Sequence, residues 1–182
     1  MFKFFRQPAI DPLQVAMTGV KMGEKVVVVG CDDGLLLGGL GAKTGLSGAM
    51  AAVVFDEHQA VAARRAAARE GFLLDLTVAK DETVAIDGDA FDMVVVDDTR
   101  GGFANRTPEA RAAILREAHR VLRPHGGRIE VVEGLGSSGP FSKATGRPAG
   151  YAATTDLERA GFRPVRVLAE VTNFRFVEGL KV

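Results

Sequence analysis

Two adjacent carboxylates inside a glycine turn stand out first for their chemistry. They are Asp32 and Asp33, in the run Val26-Val-Val-Val-Gly30-Cys31-Asp32-Asp33-Gly34. A β-branched run that enters a glycine-bracketed turn and then a helix sets backbone N–H groups and a helix N-terminus beside a ligand. A pyrophosphate docked there would meet like charge at short range, whereas a cationic group would be attracted. More acids close other apolar runs: Asp56 and Glu57 after Val53-Val-Phe55, Asp97 and Asp98 after Val94-Val-Val96, and Glu133 after Val131-Val132. An acid ending the second strand of an open α/β sheet is placed to accept hydrogen bonds from ribose hydroxyls, which is the role read for Asp56. Glu57 beside it is a candidate for the adjoining face of the same ligand. Asp97 and Asp98 are candidates for orienting a second substrate or serving as general base.

Competing site chemistries fail on spacing. The dinucleotide fingerprint G-x-G-x-x-G is broken by Asp32 and Leu35, and Gly41-Ala42-Lys43-Thr44 separates the Gly and Lys that a P-loop needs side by side. His58, His119 and His125 are scattered and Cys31 is the single cysteine, so neither a zinc site nor an internal disulfide is expected, and no metal is assigned. Cys31 reads as a small buried residue of the turn.

These residues need a scaffold that brings strand ends together. Apolar runs at 25–29, 51–55, 73–78, 91–96 and 128–132 predict strands buried on both faces, as in a parallel sheet. Residues 57–70 and 108–122 predict helices, the first stopped by Gly71 and the second opened by Thr107 as cap with Pro108 at the first turn. Thr155-Asp-Leu-Glu158 reads as a capping box opening a short helix that stops at Gly161. Residues 163–171 and 174–178 alternate, and their two-residue separation predicts an antiparallel hairpin. The connection 79–90 looks too short for a full crossover helix. Residues 134–150 read as a long flexible loop, the kind that often carries function.

The 182 residues fit a single domain, with residues 1–23 as an N-terminal arm. At 47% hydrophobic and 25% charged, the chain can build an ordinary core. Equal counts of 23 basic and 23 acidic residues argue against a dedicated nucleic-acid binder. Neutrality hides segregation: residues 75–98 carry eight acids against one Lys, and residues 100–128 carry seven Arg against two Glu. No apolar run is long enough to insert stably into a membrane, and no signal peptide is visible, so a cytoplasmic protein is expected. Whether it forms a homo-oligomer is left open.

Taken together, these segments resemble a class I (Rossmann-like) S-adenosylmethionine-dependent methyltransferase of small-molecule type. The likeness runs from about Lys25 to Val182. It rests on Val26–Gly34 as the first motif, Val53-Val-Phe-Asp56, Phe91-Asp-Met-Val-Val-Val96, and above all Leu115-Arg-Glu-Ala-His-Arg-Val-Leu-Arg-Pro-His-Gly-Gly-Arg-Ile-Glu-Val-Val-Glu133. Leu157-Glu-Arg-Ala-Gly-Phe162 and the terminal hairpin complete it. The cofactor's sulfonium and ammonium suit the Asp pair, and its ribose suits Asp56.

The resemblance implies an α/β fold with a seven-stranded, mostly parallel sheet, a C-terminal antiparallel hairpin and helices on both faces. It implies S-adenosylmethionine held by Gly30, Cys31, Asp32, Gly34, Asp56, Glu57 and Asp81, and a small-molecule methyl acceptor near Asp97 and Asp98. The acceptor pocket is expected from residues 1–23, 99–106 and 134–150. Two departures touch the methionine end of the cofactor. Val28 stands where the family usually has an acid, and Asp32 stands where it usually has Gly. One expectation is that Asp32 replaces the missing acid; the alternative is a degenerate methyltransferase fold with a binding or assembly role.

Overall fold

A computed structural model describes residues 10–79, 86–136, 148 and 150–182. Seven strands form one sheet in the order β3-β2-β1-β4-β5-β7-β6. They are β1 Lys25–Val29, β2 Ala49–Val54, β3 Leu74–Val78, β4 Met93–Asp98, β5 Arg128–Gly134, β6 Val165–Val171 and β7 Phe174–Leu180. The first five run parallel, and β7 lies antiparallel to both β5 and β6. The chain steps outward from β1 to β3, then restarts on the other side of β1 with β4. That reversal opens a crevice at the C-terminal ends of β1 and β4, where open α/β sheets place ligands.

Each face of the sheet has its own core. Val27, Val29, Val94, Val96 and Ile129 pack toward α4 (Pro108–Val121) and α5 (Ala153–Arg159). Their alternates Val26, Val28, Met93 and Val95 pack toward α1 (Pro12–Met17), α2 (Leu35–Thr44) and α3 (Glu57–Glu70). The unbroken valine run of β1 is therefore used on both sides, as its lack of alternation requires. Helix caps agree with the sequence at α3, where Asp56 accepts from Gln59 N, and at α4, where Thr107 accepts from Ala110 N.

Three glycines inside α2 would each cost about 1 kcal/mol in an isolated helix. Here a Cβ on Gly38 would meet Arg69 and Glu70, on Gly39 Val15 and Ile10, and on Gly41 the Phe72 ring. They let α2 sit tightly between its neighbours, and packing offsets the propensity.

Several boundaries differ from the sequence expectation. Residues 12–17 of the N-terminal arm form α1, held by the Asp11 cap and Pro12. Asp97 and Asp98 are the last two residues of β4, not residues after it, because pairing continues through Asp97↔Val132 and Asp98↔Glu133. Gly134, expected in the loop, closes β5 by pairing with Phe174. The capping box at Thr155 is not used. Helix α5 starts at Ala153, whose N–H donates to the buried Glu133 carboxylate at 2.8 Å, while Asp156 pairs with Arg111 at 2.7 Å. Most of the expected 134–150 loop, residues 137–147 and 149, lies outside the described residues.

Candidate cofactor site

The glycine turn is shaped by contacts that exclude side chains. Gly30 has φ +81°, donates its N–H to Val53 O at 2.9 Å, and would place a Cβ 3.2 Å from Asp97 O. Gly34, the N-cap of α2, has φ +75°, and its Cβ would lie 2.8 Å from Ala62 O. Only glycine takes this left-handed turn at such close range to α3 and β4 without strain. Between them, Asp33 accepts from Leu35 N at 2.9 Å and binds Arg100 at 2.7 Å. Asp32 has a buried Oδ2 with no hydrogen-bond partner among the described residues, and burial raises its pKa.

At the end of β4 the two acids point to opposite faces, as successive strand residues must. Asp97 is 2% exposed. Its Oδ1 accepts from Thr99 Oγ1 at 2.6 Å and Thr99 N at 3.2 Å, while Oδ2 is buried without a partner among the described residues. Burial pushes its pKa up to about 6, against the Thr99 hydrogen bond and with Asp32 adding repulsion. Asp98 accepts from Phe103 N at 2.8 Å and Ala104 N at 2.9 Å, so it shapes the loop that follows β4.

That loop closes over the turn. A Cβ on Gly102 would lie 3.3 Å from Asp32 Oδ1, and the Arg106 guanidinium stacks 3.7 Å from the centre of the Phe55 ring. The gap left between Phe55, Gln59, Asp97 and Phe103 is about 10 Å³, too small for more than a water. A space of about 400 Å³ lies between Asp33, Ala62 and Arg69 on the α3 side of the turn, and two more border the turn. One of about 320 Å³ lies over Asp32, Asp56, His58 and Gly102; the other, about 270 Å³, is bounded by Gln14, Leu35, Thr99 and Phe174. Arg100 lines both. A cavity of about 430 Å³ at the opposite end of the sheet, under Met50, Phe72 and Leu74, has Asp75 as its one acid and lacks the turn.

The structure thus gathers Gly30, Cys31, Asp32, Gly34, Asp56 and Asp97 around one crevice. Asp56 spends one oxygen capping α3 and leaves its second available to the 320 Å³ space. Cys31 is fully buried, and burial pushes its thiol up to about 12, so it is no thiolate nucleophile. Glu57 is not brought in: it pairs with Arg64 at 2.8 Å on the exposed side of α3. Asp98 faces the α4 side. Asp81 lies outside the described residues. The sequence placed 99–106 at the acceptor pocket but assigned no individual role to Thr99, Arg100 or Arg106, and none to Phe55. The pair Gly101-Gly102, soon after the end of β4 at Asp98, was the available signal for a loop that returns onto the turn.

Among the described residues no group of three or more acids, His or Cys is placed to hold a metal. No helix there is long and apolar enough to cross a membrane. The donor set instead fits a cationic ligand: glycines that admit backbone-close approach, and two buried carboxylate oxygens that lack hydrogen-bond donors.

A profile of the methyltransferase-domain family matches residues 26–126, and the chain belongs to that family. Its fold is that of the class I S-adenosylmethionine-dependent methyltransferases. The chain is similar to a SAM-dependent methyltransferase from Aquifex aeolicus, with TM-score 0.75, 21% identity, and coverage of 94% of this chain and 90% of that one. A putative O-methyltransferase from Nostoc punctiforme gives TM-score 0.73 at 16% identity, covering 93% of this chain and 56% of that one. PigF with SAH gives TM-score 0.63 at 20% identity, covering 95% of this chain and 62% of that one. A comparison with curated proteins gives no match.

Proposed function

We propose that this protein transfers the methyl group of S-adenosylmethionine to a small-molecule acceptor, as a single domain without a metal. The observation that carries this reading is the pair of adjoining spaces on either side of the Asp33–Arg100 bridge. The one over Asp32 and Asp56 suits the cofactor, and the confined one beside Gln14, Thr99 and Phe174 suits a small acceptor. Bound S-adenosylmethionine supplies a methyl group already activated on a sulfonium, so the protein's task is mainly alignment. Gly30 and Gly34 bring the turn's backbone close to the ligand. Asp56 offers its second oxygen to ribose hydroxyls. Gln14 of α1 and Thr99 after β4 supply polar contacts for the acceptor, and Phe174 supplies an apolar wall. Asp98 acts as a positioning residue, because its carboxylate holds the Phe103 and Ala104 N–H groups.

A thermal-shift panel tests this. S-adenosylmethionine and S-adenosylhomocysteine are expected to raise the melting temperature by several degrees at ligand near 100 times Kd, and NAD and NADP to leave it unchanged. Stabilisation by the nicotinamide cofactors alone would overturn the reading. Silence with all four would leave a binding or assembly protein on a methyltransferase fold.

A further inference from the structure

The loop that closes over the glycine turn is held at both ends. Asp98 holds its start through the Phe103 and Ala104 N–H groups. Arg111, in the first turn of α4, holds its end: Nη1 donates to Arg106 O at 2.6 Å and to Ala104 O at 3.3 Å. The same guanidinium also reaches the other way. Its Nε donates to Asp156 of α5 at 2.7 Å, and its Cζ lies 4.7 Å from the centre of the Tyr151 ring. The Asp156 oxygen that takes this bond also accepts from the Tyr151 hydroxyl at 3.0 Å. The Arg111 and Asp156 side chains are only 12% and 15% exposed, so this ion pair is nearly closed off from water.

This junction stands behind the crevice. Arg111, Tyr151 and Asp156 line none of the spaces described above. The loop between does: Arg100, Gly101, Gly102 and Asn105 wall the 320 Å³ space, and Phe103 and Arg106 close the small gap beside Gly30. Arg106 gives its carbonyl to Arg111 and its guanidinium to Phe55, so one residue carries the Arg111 bond to the end of β2 beside Asp56. An arginine suits this position because its planar fork presents donors in two directions at once. A lysine ammonium is a point charge on a flexible stem and cannot serve both sides with that geometry. In a nearly buried pair, charge-assisted bonds of this kind hold a single arrangement more firmly than at the surface.

Resting on the cofactor reading above, we propose that Arg111 is a positioning residue for the cofactor space, and that its bridge to Asp156 couples this space to α5. The guanidinium fixes the last part of the β4–α4 loop, and the loop is the wall that the cofactor meets. Neither Arg111 nor Asp156 touches the ligand. The coupling is reciprocal: a ligand that orders the loop also tightens α5, and a change that releases α5 loosens the wall.

The test is titration calorimetry of wild type, Arg111→Lys, Asp156→Asn and Glu158→Ala with S-adenosylhomocysteine, with circular dichroism confirming that each variant is folded. Arg111→Lys should weaken binding roughly 10-fold, the scale of one or two hydrogen bonds, and Asp156→Asn should weaken it less. Glu158 is exposed on the same helix, and Glu158→Ala should bind as wild type does. A junction with a structural role alone would lower the melting temperature and leave the affinity of the folded protein unchanged. Wild-type affinity in a folded Arg111→Lys therefore overturns the proposal while leaving the cofactor reading intact. Failure of wild type to bind at all overturns the cofactor reading, and this proposal falls with it. Should the Arg111 and Asp156 variants not fold, hydrogen exchange of wild type with and without S-adenosylhomocysteine decides instead. Protection that extends from residues 101–106 to residues 153–160 supports the coupling, and protection confined to the loop refutes it.

Discussion

Asp97 and Glu130 are buried acids on adjacent strands and on the same face of the sheet, since Val95 pairs with Glu130 and Asp97 with Val132. They are 2% and 1% exposed, and each has an oxygen without a partner among the described residues. They differ in what stands in front of them. Glu130 is in mid-strand, directly opposite Glu178 of β7, and Glu178 is itself bound to Arg166 at 2.8 Å. None of the spaces described above reaches Glu130, and burial with the Glu178 charge pushes its pKa up to about 9. Asp97 ends its strand, takes two hydrogen bonds from Thr99 and lines the small gap beside the glycine turn. The same side-chain chemistry is thus shut inside the sheet in one place and set beside the glycine turn in the other. The position along the strand makes the difference.

Replacing each acid separates the two cases. In the folded chain Glu130 keeps its proton up to about pH 9, whereas an unfolded Glu ionises near its model value of 4.5. The folded state therefore binds more protons between these values, and stability falls as pH rises through that window. Glu130→Gln removes the penalty and should stabilise by roughly 5 kcal/mol at pH 8 and by much less at pH 5, at about 1.4 kcal/mol per pKa unit. Denaturant melts at the two pH values would show it, with cofactor affinity unchanged. A uniform shift at both pH values would mean that the gain comes from something other than the proton.

Asp97→Asn acts over a lower window. The wild-type penalty grows from about pH 4 to 6 and is constant above, so the substitution should stabilise by about 2–3 kcal/mol at pH 8. Unlike Glu130→Gln, it should weaken S-adenosylhomocysteine binding. If both variants gained stability and neither lost binding, the distinction between the two acids would collapse. Arg106→Ala removes the cation stacked on Phe55 and should cost about 1 kcal/mol of stability in a chemical melt. Arg100→Ala breaks the bridge to Asp33, but the Arg100 side chain is 65% exposed. The expected stability change is about 0.5 kcal/mol or less, shrinking further in high salt.

The difference between these residues also marks what the sequence made legible. The valine runs, the hairpin, the mostly parallel sheet and the caps at Asp56 and Thr107 follow from local pattern and hold in the structure. So does the glycine turn, because a strand, two glycines and a helix start are contiguous. Contacts between distant segments were not legible. Glu133 caps α5 from 20 residues away, and no local motif announces it, so the local Thr155 box was chosen instead. Arg100 meets Asp33 across 67 residues, and Arg106 reaches Phe55 only after the β4–α4 loop has folded back. The apolar run of β4 ends at Val96 and Asp is disfavoured in strands, so Asp97 and Asp98 are expected just after it. The parallel partner β5 and its own antiparallel partner β7 extend the ladder past that preference.

The central claim is that the glycine turn between β1 and α2 is the cofactor site. Its most direct test is calorimetric titration of S-adenosylhomocysteine into wild type and into Gly30→Ala. Gly30 has φ +81°, and its Cβ would lie 3.2 Å from Asp97 O, so the substitution distorts the turn. Saturable binding by wild type and a loss of affinity in the folded variant are predicted. No binding by wild type, or equal affinity in a folded Gly30→Ala, would contradict the account.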